Sequence, residues 1–251
     1  GGNLLARIGE LPYLVKLLAA AKPLSIQAHP SKPRAMEQFA LGAPGYQDSN
    51  HKPELIVAVS EFKALSGFRP ILEVAQDITS LANSNEIFSG WLQEFNNGGL
   101  KGATQWAFDA SHTEVNQLAA SKDVLGEDRA RLIAALDLEF PNDNGLLVSV
   151  LMNQVTLQPG QALFLPAGNI HSYLSGLGVE VMAASDNVLR GGLTKKPIDL
   201  EELMQLLIFE PVMDPLVQTK MLSQGLEEYP VPVKDFSLYR VTPSSDCMLV
   251  D

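Results

Sequence analysis

The stretch GQALFLPAGNIHSYLS, Gly160–Ser175, decides the fold. It begins at Pro159-Gly160, where proline presets the second position of a type II turn and glycine supplies the positive φ of the third. Read with the preceding "LLVSVLMNQVTLQ" from Gly145, the whole segment predicts a β-meander, and meanders are antiparallel.

A second strand-like segment, KPLSIQAHPSK (Lys22–Lys32), carries a mixed face. Alternate residues of a strand share a side. Leu24, Ile26 and Ala28 form an apolar packing face. Ser25, Gln27 and His29 form the other, which looks either at water or into a site. "PELIVAVSEFKALSGF" also alternates and is rich in Val, Ile and Phe, so the chain is strand-like from Leu24 to about Arg69, interrupted by the Gly/Pro/Asn-rich loop "LGAPGYQDSNHKP". In "HKPE", Lys52 and Glu54 share a face, and Pro53 opposite them suits a strand start or edge.

The rest of the chain alternates in kind. Residues 3–21 read as a helix or helix end running into a strand. Between 70 and 140, apolar residues recur at three- and four-residue spacing and predict four helices, with Pro70 and Pro141 as punctuation. "PIDLEELMQLLIFEPV" predicts one more helix, started by Pro197 and Asp199. The sequence stops in a strand-like "CMLVD", and the whole reads as a fragment of a longer chain.

Bulk properties exclude several classes. The 251 residues are 46% hydrophobic and 19% charged, enough for a substantial core. No apolar run approaches a membrane span, and "LPYLVKLLAAAKPL" has neither the basic start nor the cleavage site of a signal peptide. A single cysteine, Cys247, excludes an internal disulfide and fits a reducing, cytoplasmic compartment. The net charge of −11 argues against nucleic acid or an anionic membrane as partner. A small anion would need a local basic cluster. Lys16, Lys52, Arg190, Lys195 and Lys196 supply one, and Gly191-Gly192 after Arg190 would let backbone approach a ligand closely.

Gly160, Pro166, His171 and Ser175 follow the spacing Gly-x5-Pro-x4-His-x3-Asn and resemble the second motif of the cupin superfamily, with serine in the asparagine's place. Gln27-x-His29 stands where cupins usually carry His-x-His. Together, "QAHPSK", "NHKPE" and "SDNVLRGGLTKK" resemble the type I mannose-6-phosphate isomerase (phosphomannose isomerase) family, in family order and over nearly the whole chain. The resemblance implies an antiparallel cupin (jelly-roll) barrel plus an α-helical subdomain, mainly β with a helical insertion. Residues 1–69 would be the first part of the catalytic barrel and 70–144 the helical insertion. Residues 145–196 would be the rest of the barrel, and 197–251 a helix and the start of a C-terminal cupin-like region. It implies one Zn2+ per chain on Gln27, His29, Glu54 and His171. It implies an isomerase that interconverts mannose 6-phosphate and fructose 6-phosphate through a cis-enediol, acting as a monomer on a sugar phosphate. Arg190, Lys52 and Asp186 are the candidate catalytic residues, and Ser25, Lys16 and Lys196 the candidate phosphate contacts.

Each residue alone has a plainer reading. Gln-x-His is usually a solvated strand face, a lone His171 a satisfied loop histidine, and Lys52/Glu54 a surface pair. Their joint occurrence in order is what overturns these. Asp186 is equally placed to act in the reaction or to orient Arg190 or a loop amide. His51 points opposite to Lys52 and is expected behind the site. His112 reads as surface, and Trp91 and Trp106 as helix packing. Two other classes compete: a non-catalytic sugar-binding or regulatory cupin that keeps its metal, and a cupin metal oxidase, against which Gln27, Lys52 and Arg190 speak.

Overall fold

The computed structural model describes residues 11–243. Residues 3–10 of the segment read as a helix or helix end running into a strand, and the strand-like "CMLVD", lie outside these. Strand β1 (Tyr13–Ala20) is followed by β2 (Ile26–Ala28), helix α1 (Lys32–Ala40), β3 (Glu54–Ala58) and β4 (Phe62–Phe68). Helices α2 (Ile71–Ser84), α3 (Ser89–Asp109), α4 (His112–Ser121), α5 (Glu127–Glu139) and α6 (Gly145–Val150) come next. Then follow β5 (Met152–Leu157), β6 (Ala162–Leu165), β7 (His171–Ala183), β8 (Leu189–Gly192), α7 (Leu200–Leu206), β9 (Lys220–Ser223), β10 (Leu226–Tyr229) and β11 (Leu238–Val241).

The long strand β7 organises the site. Its first half pairs antiparallel with β4 (Ser66 opposite His171, Ala64 opposite Tyr173) and with β2 (Gln27 opposite His171). Its second half pairs with β1 (Lys16 opposite Glu180) and with β3 (Glu54 opposite Met182, Ile56 opposite Glu180). One strand thus serves two half-sheets, and the break between them falls at Gly176, whose φ is +118°. A Cβ there would lie 2.5 Å from the Glu61 carbonyl oxygen, so only glycine fits the bend. Gly176→Ala is expected to cost about 2–3 kcal/mol, from a strained φ plus the clash, and to show as a lower thermal midpoint. An unchanged midpoint would mean that the bend does not depend on this position.

Three apolar layers flank the half-sheets. Ile56, Phe62, Ala64, Leu157, Leu163, Leu165 and Tyr173 pack between them. The largest cluster joins Ile26, Leu65 and Phe68 to the helices through Val74, Ile78, Trp91, Leu118, Ile133 and Leu147. Leu55 and Val181, on the opposite face of β3 and β7 from Ile56, pack on Tyr229 and Phe236 of the C-terminal segment. β3 therefore buries both its faces, which is why "ELIVA" is apolar after its first residue.

The architecture is mixed helix and antiparallel sheet, and it corrects the expectation of a barrel. Among the described residues no barrel closes: β1 has β7 as its sole strand partner and presents a free edge, with Val15 and Leu17 exposed. Two local readings also change. Lys32–Ala40, expected within a strand-like region, is a helix. Ser31 caps it, its hydroxyl accepting the Arg34 N–H, and a proline sits in its first turn. Gly145–Val150, expected as strand, is a fully buried helical turn and a half. A continuous apolar run does not tell strand from buried helix by period alone. No described helix is long and apolar enough to cross a membrane.

Candidate metal centre

Gln27, His29, Glu54 and His171 converge from three strands and one strand end. The cross-strand row Arg190–Gln27–His171–Ser66 places four side chains abreast on β8, β2, β7 and β4. His29 follows β2 by one residue, and Glu54 opens β3 in the other half-sheet. His29 Nε2 lies 3.3 Å from one Glu54 oxygen and His171 Nε2 3.5 Å from the other. Ligand atoms of His29, Glu54 and His171 all fall within 4.8 Å of one another, and all three residues are buried. Gln27 Nε2 is 3.3 Å from His171 Nε2. A half-turn of that amide exchanges its oxygen into the same position.

The hydrogen-bond pattern fixes the two imidazoles. His29 Nδ1 is 2.8 Å from the Asn187 carbonyl oxygen, and His171 Nδ1 is 3.0 Å from that of Asn169. A carbonyl only accepts, so each Nδ1 carries the proton and each Nε2 lone pair faces the common point. His29 Nε2 and Glu54 Oε2 are buried with no hydrogen-bond partner. Two orphaned acceptors facing one spot are costly in an apolar interior unless a cation sits between them. Burial holds the His29 imidazole below its ordinary pKa, so it stays neutral. Neutral imidazoles and one carboxylate are ordinary zinc ligands, so the residues present fit a zinc ion.

Charged groups ring this cluster. Lys52 is buried, with Nζ 3.4 Å from Glu54. Lys16 faces Glu180 across the β1–β7 ladder, and its Nζ lies 3.5 Å from Met182 Sδ. Glu180 is itself buried and accepts a hydrogen bond of 2.8 Å from the Tyr173 hydroxyl. Burial, then the Glu54 charge, push Glu180 up to about 7. Sequence reading passed over Glu180 and Tyr173. The available signal was a carboxylate between Val179 and Val181, on the strand face shared with Glu54.

A cavity of about 430 Å³ opens beside Gln27 and is lined by Ser25, Tyr173, Arg190, Thr194, Lys195 and Lys196. The structure thus brings Ser25, Arg190 and Lys196 together with Gln27. Lys16 and Lys52 sit instead by the carboxylates. Asp186 is exposed, and its amide N–H donates to the Asp48 carboxylate at 2.9 Å. His51 Nε2 pairs with Asp235 at 2.9 Å. His112 is exposed at the start of α4, and Trp91 stacks on Trp106 at 5.2 Å within the helical layer.

Known proteins resemble this chain in sequence and fold. Residues 4–71 match the model of the phosphomannose isomerase type I catalytic domain. The mannose-6-phosphate isomerase of Salmonella typhimurium is 38% identical over 246 residues, covering 92% of this chain and 63% of that protein. One from Arabidopsis thaliana is 33% identical over 95% of this chain and 60% of its own length. A substituted variant of phosphomannose isomerase from Salmonella typhimurium superposes with a TM-score of 0.84 at 36% identity, covering 94% of this chain and 64% of that one. A zinc-bound mannose 6-phosphate isomerase superposes with a TM-score of 0.82 at 35% identity. The chain therefore spans a little under two thirds of the length of these relatives. Motifs, fold and relatives agree: residues 4–71 match the type I phosphomannose isomerase catalytic domain, and most of the chain is similar to part of these isomerases.

Proposed function

We propose that this chain interconverts mannose 6-phosphate and fructose 6-phosphate, with one zinc ion held by Gln27, His29, Glu54 and His171. The observation that carries the reading is the pair of orphaned, converging acceptors His29 Nε2 and Glu54 Oε2 beside a cavity edged by Arg190, Lys195 and Lys196. An acidic chain that gathers cations round one cavity is built for an anionic substrate. The fold is of cupin type, its two half-sheets facing the metal from opposite sides. Residues 1–69 and 145–196 then form one catalytic unit, with 70–144 as insertion and 197–251 as a following region. Pairing of β3 with β6 and of β4 with β7 across the helical layer supports this division.

The reaction moves a proton between C1 and C2 of an opened sugar and builds negative charge on two neighbouring oxygens. Zinc, when bound, supplies a Lewis acid that polarises the sugar oxygens. Arg190 stands one strand from Gln27 and offers a planar fork of donors to the developing enediolate. Lys52, fixed by Glu54, adds a second positive charge at the buried end. Ser25, Lys195 and Lys196 line the cavity, and the two exposed lysines suit the phosphate, which remains partly hydrated. Lys16 is assigned a weaker, longer-range contribution to phosphate attraction. Asp186, whose amide is tied to Asp48, is assigned to loop organisation next to Arg190.

A coupled assay for fructose 6-phosphate tests the proposal. Zinc-loaded protein should turn over mannose 6-phosphate, lose activity with a chelator and regain it with zinc. Folded, zinc-loaded protein without turnover would leave a metal-containing sugar-binding module as the better description.

A further inference from the structure

The segment that receives the His29 proton has no strand ladder of its own. Ala184–Val188 runs irregularly between β7 and β8, yet its Asn187 carbonyl fixes the imidazole at 2.8 Å. Something other than sheet pairing must aim that carbonyl. The Asn187 side chain is fully buried and uses both ends of its amide. Its oxygen accepts the Gln47 and Asp48 N–H groups at 2.7 and 3.2 Å. Its nitrogen donates to the Asp48 and Asn50 carbonyl oxygens, both at 2.8 Å. Ser185 adds a bond of 2.9 Å to the Asp48 carboxylate, and the Asn187 N–H donates to the Ser185 hydroxyl at 3.2 Å. Two loops without regular structure are thereby locked to each other directly behind His29.

We infer that Asn187 is a positioning residue for the metal centre: its side-chain amide clamps the 47–50 loop, and so aims its own carbonyl at His29 Nδ1. The inference rests on the metal reading given above. The chemistry is that of an outer group which sets a ligand's tautomer and orientation without touching the metal. It does not require Asn187 to touch substrate. An asparagine is suited because its short neutral amide carries an acceptor and two donors on separate atoms. Aspartate would keep the acceptor but set a carboxylate against the Asp48 and Asn50 carbonyls. Alanine would leave the Gln47 and Asp48 N–H groups and the Asp48 carbonyl unpaired.

The test uses the full chain and reads two quantities besides activity. With four histidines in the sequence, long-range 1H–15N spectra of zinc-free protein can be assigned by single substitution. His29 in the parent should show a single Nδ1-protonated tautomer. In Asn187→Ala and Asn187→Asp it should show a mixture, and zinc affinity, measured by competition with a chromophoric chelator, should fall roughly 10- to 100-fold. Leu118→Ala in the helical layer, buried and remote from the loops, serves as a control that lowers the melting temperature alone. It should leave tautomer and affinity unchanged. If the Asn187 variants only melt earlier, with the tautomer and zinc affinity of the parent, Asn187 is structural and the inference is wrong. If the parent binds no zinc, the metal reading fails instead, and the tautomer comparison still decides what Asn187 does. Should both Asn187 variants be unfolded, Asn50→Ala, which removes the Asn50 side-chain bond to Ala184 from the same pair of loops but keeps every Asn187 amide bond, is expected to leave the His29 tautomer intact. A mixed tautomer there would overturn the assignment to Asn187.

Discussion

His29→Ala should leave a folded chain that no longer retains zinc through purification, while the parent keeps one ion per chain. A four-ligand site worth about 10–16 kcal/mol in zinc affinity gives about 3 kcal/mol per ligand, or a hundredfold or more in Kd. His29 stands above that average. Its ring is fully buried and its Nδ1 bond already sets the lone pair, so no rotamer or tautomer freedom is lost on binding. Gln27→Ala should cost less, because a neutral amide is a weak donor and Gln27 is only partly buried. Glu54→Gln removes the only anion of the set and should rank with His29→Ala. A second readout follows from linkage. Zinc binds the folded chain and raises its melting temperature by an amount set by ligand concentration over Kd. That rise should disappear in His29→Ala and Glu54→Gln and persist in Gln27→Ala. Elemental analysis and thermal melts with and without zinc check both statements. Parent and His29→Ala protein with equal zinc content would remove His29 from the site.

The candidate ligand set came from the family resemblance; strand alternation, a local rule, added only which side chains share a face. Once "SIQAH" and "HKPE" are read as strands, the facing residues follow, and the structure sets Gln27, His29 and Glu54 round one point with His171. What alternation does not supply is the partner across the ladder. Glu180 was invisible as a site residue because its neighbours in space, Lys16 and Ile56, come from strands more than a hundred residues away. Its own sequence context, Val179 and Val181, reads as plain packing. Asn187 was hidden for a different reason. It lies in an irregular segment, where no period exists to be read, and its role is carried by a carbonyl that every residue possesses.

Two fold errors share one cause. "KPRAMEQFA" has a good cap but buries only Ala35, so it lacks the apolar stripe by which helices are recognised. "GLLVSV" has the opposite fault, since all its residues are buried and no stripe can form. That no barrel closes among the described residues is a non-local matter. "YLVKLLAA" alternates as a strand should, and nothing in it says that one edge finds no partner among the described residues.

Arg190→Ala is expected to lower kcat by about 10²–10³ with little change in KM, by analogy with the loss of one oxyanion donor. The register supports this over a phosphate role. Arg190 lies opposite Gln27, and Gln27 opposite His171, so the three side chains leave one face of neighbouring strands. Strands about 4.8 Å apart put the arginine Cα about 10 Å from that of His171, within reach of a sugar carbonyl in the cavity beside Gln27. The exposed Lys195 and Lys196 stand further along the chain at the cavity wall and are better placed for the phosphate. The two roles separate in kinetics. An enediolate contact exists mainly in the transition state, so its loss falls on kcat. A phosphate contact is present in the ground state, so its loss raises KM. Arg190→Lys should recover only part of the rate, because an ammonium is a point charge and lacks the planar fork. Zinc content and melting temperature must match the parent for the comparison to hold, since Arg190 and Gln27 share a ladder. A normal kcat with a raised KM would move Arg190 to the phosphate, and unchanged values of both would remove it from the site.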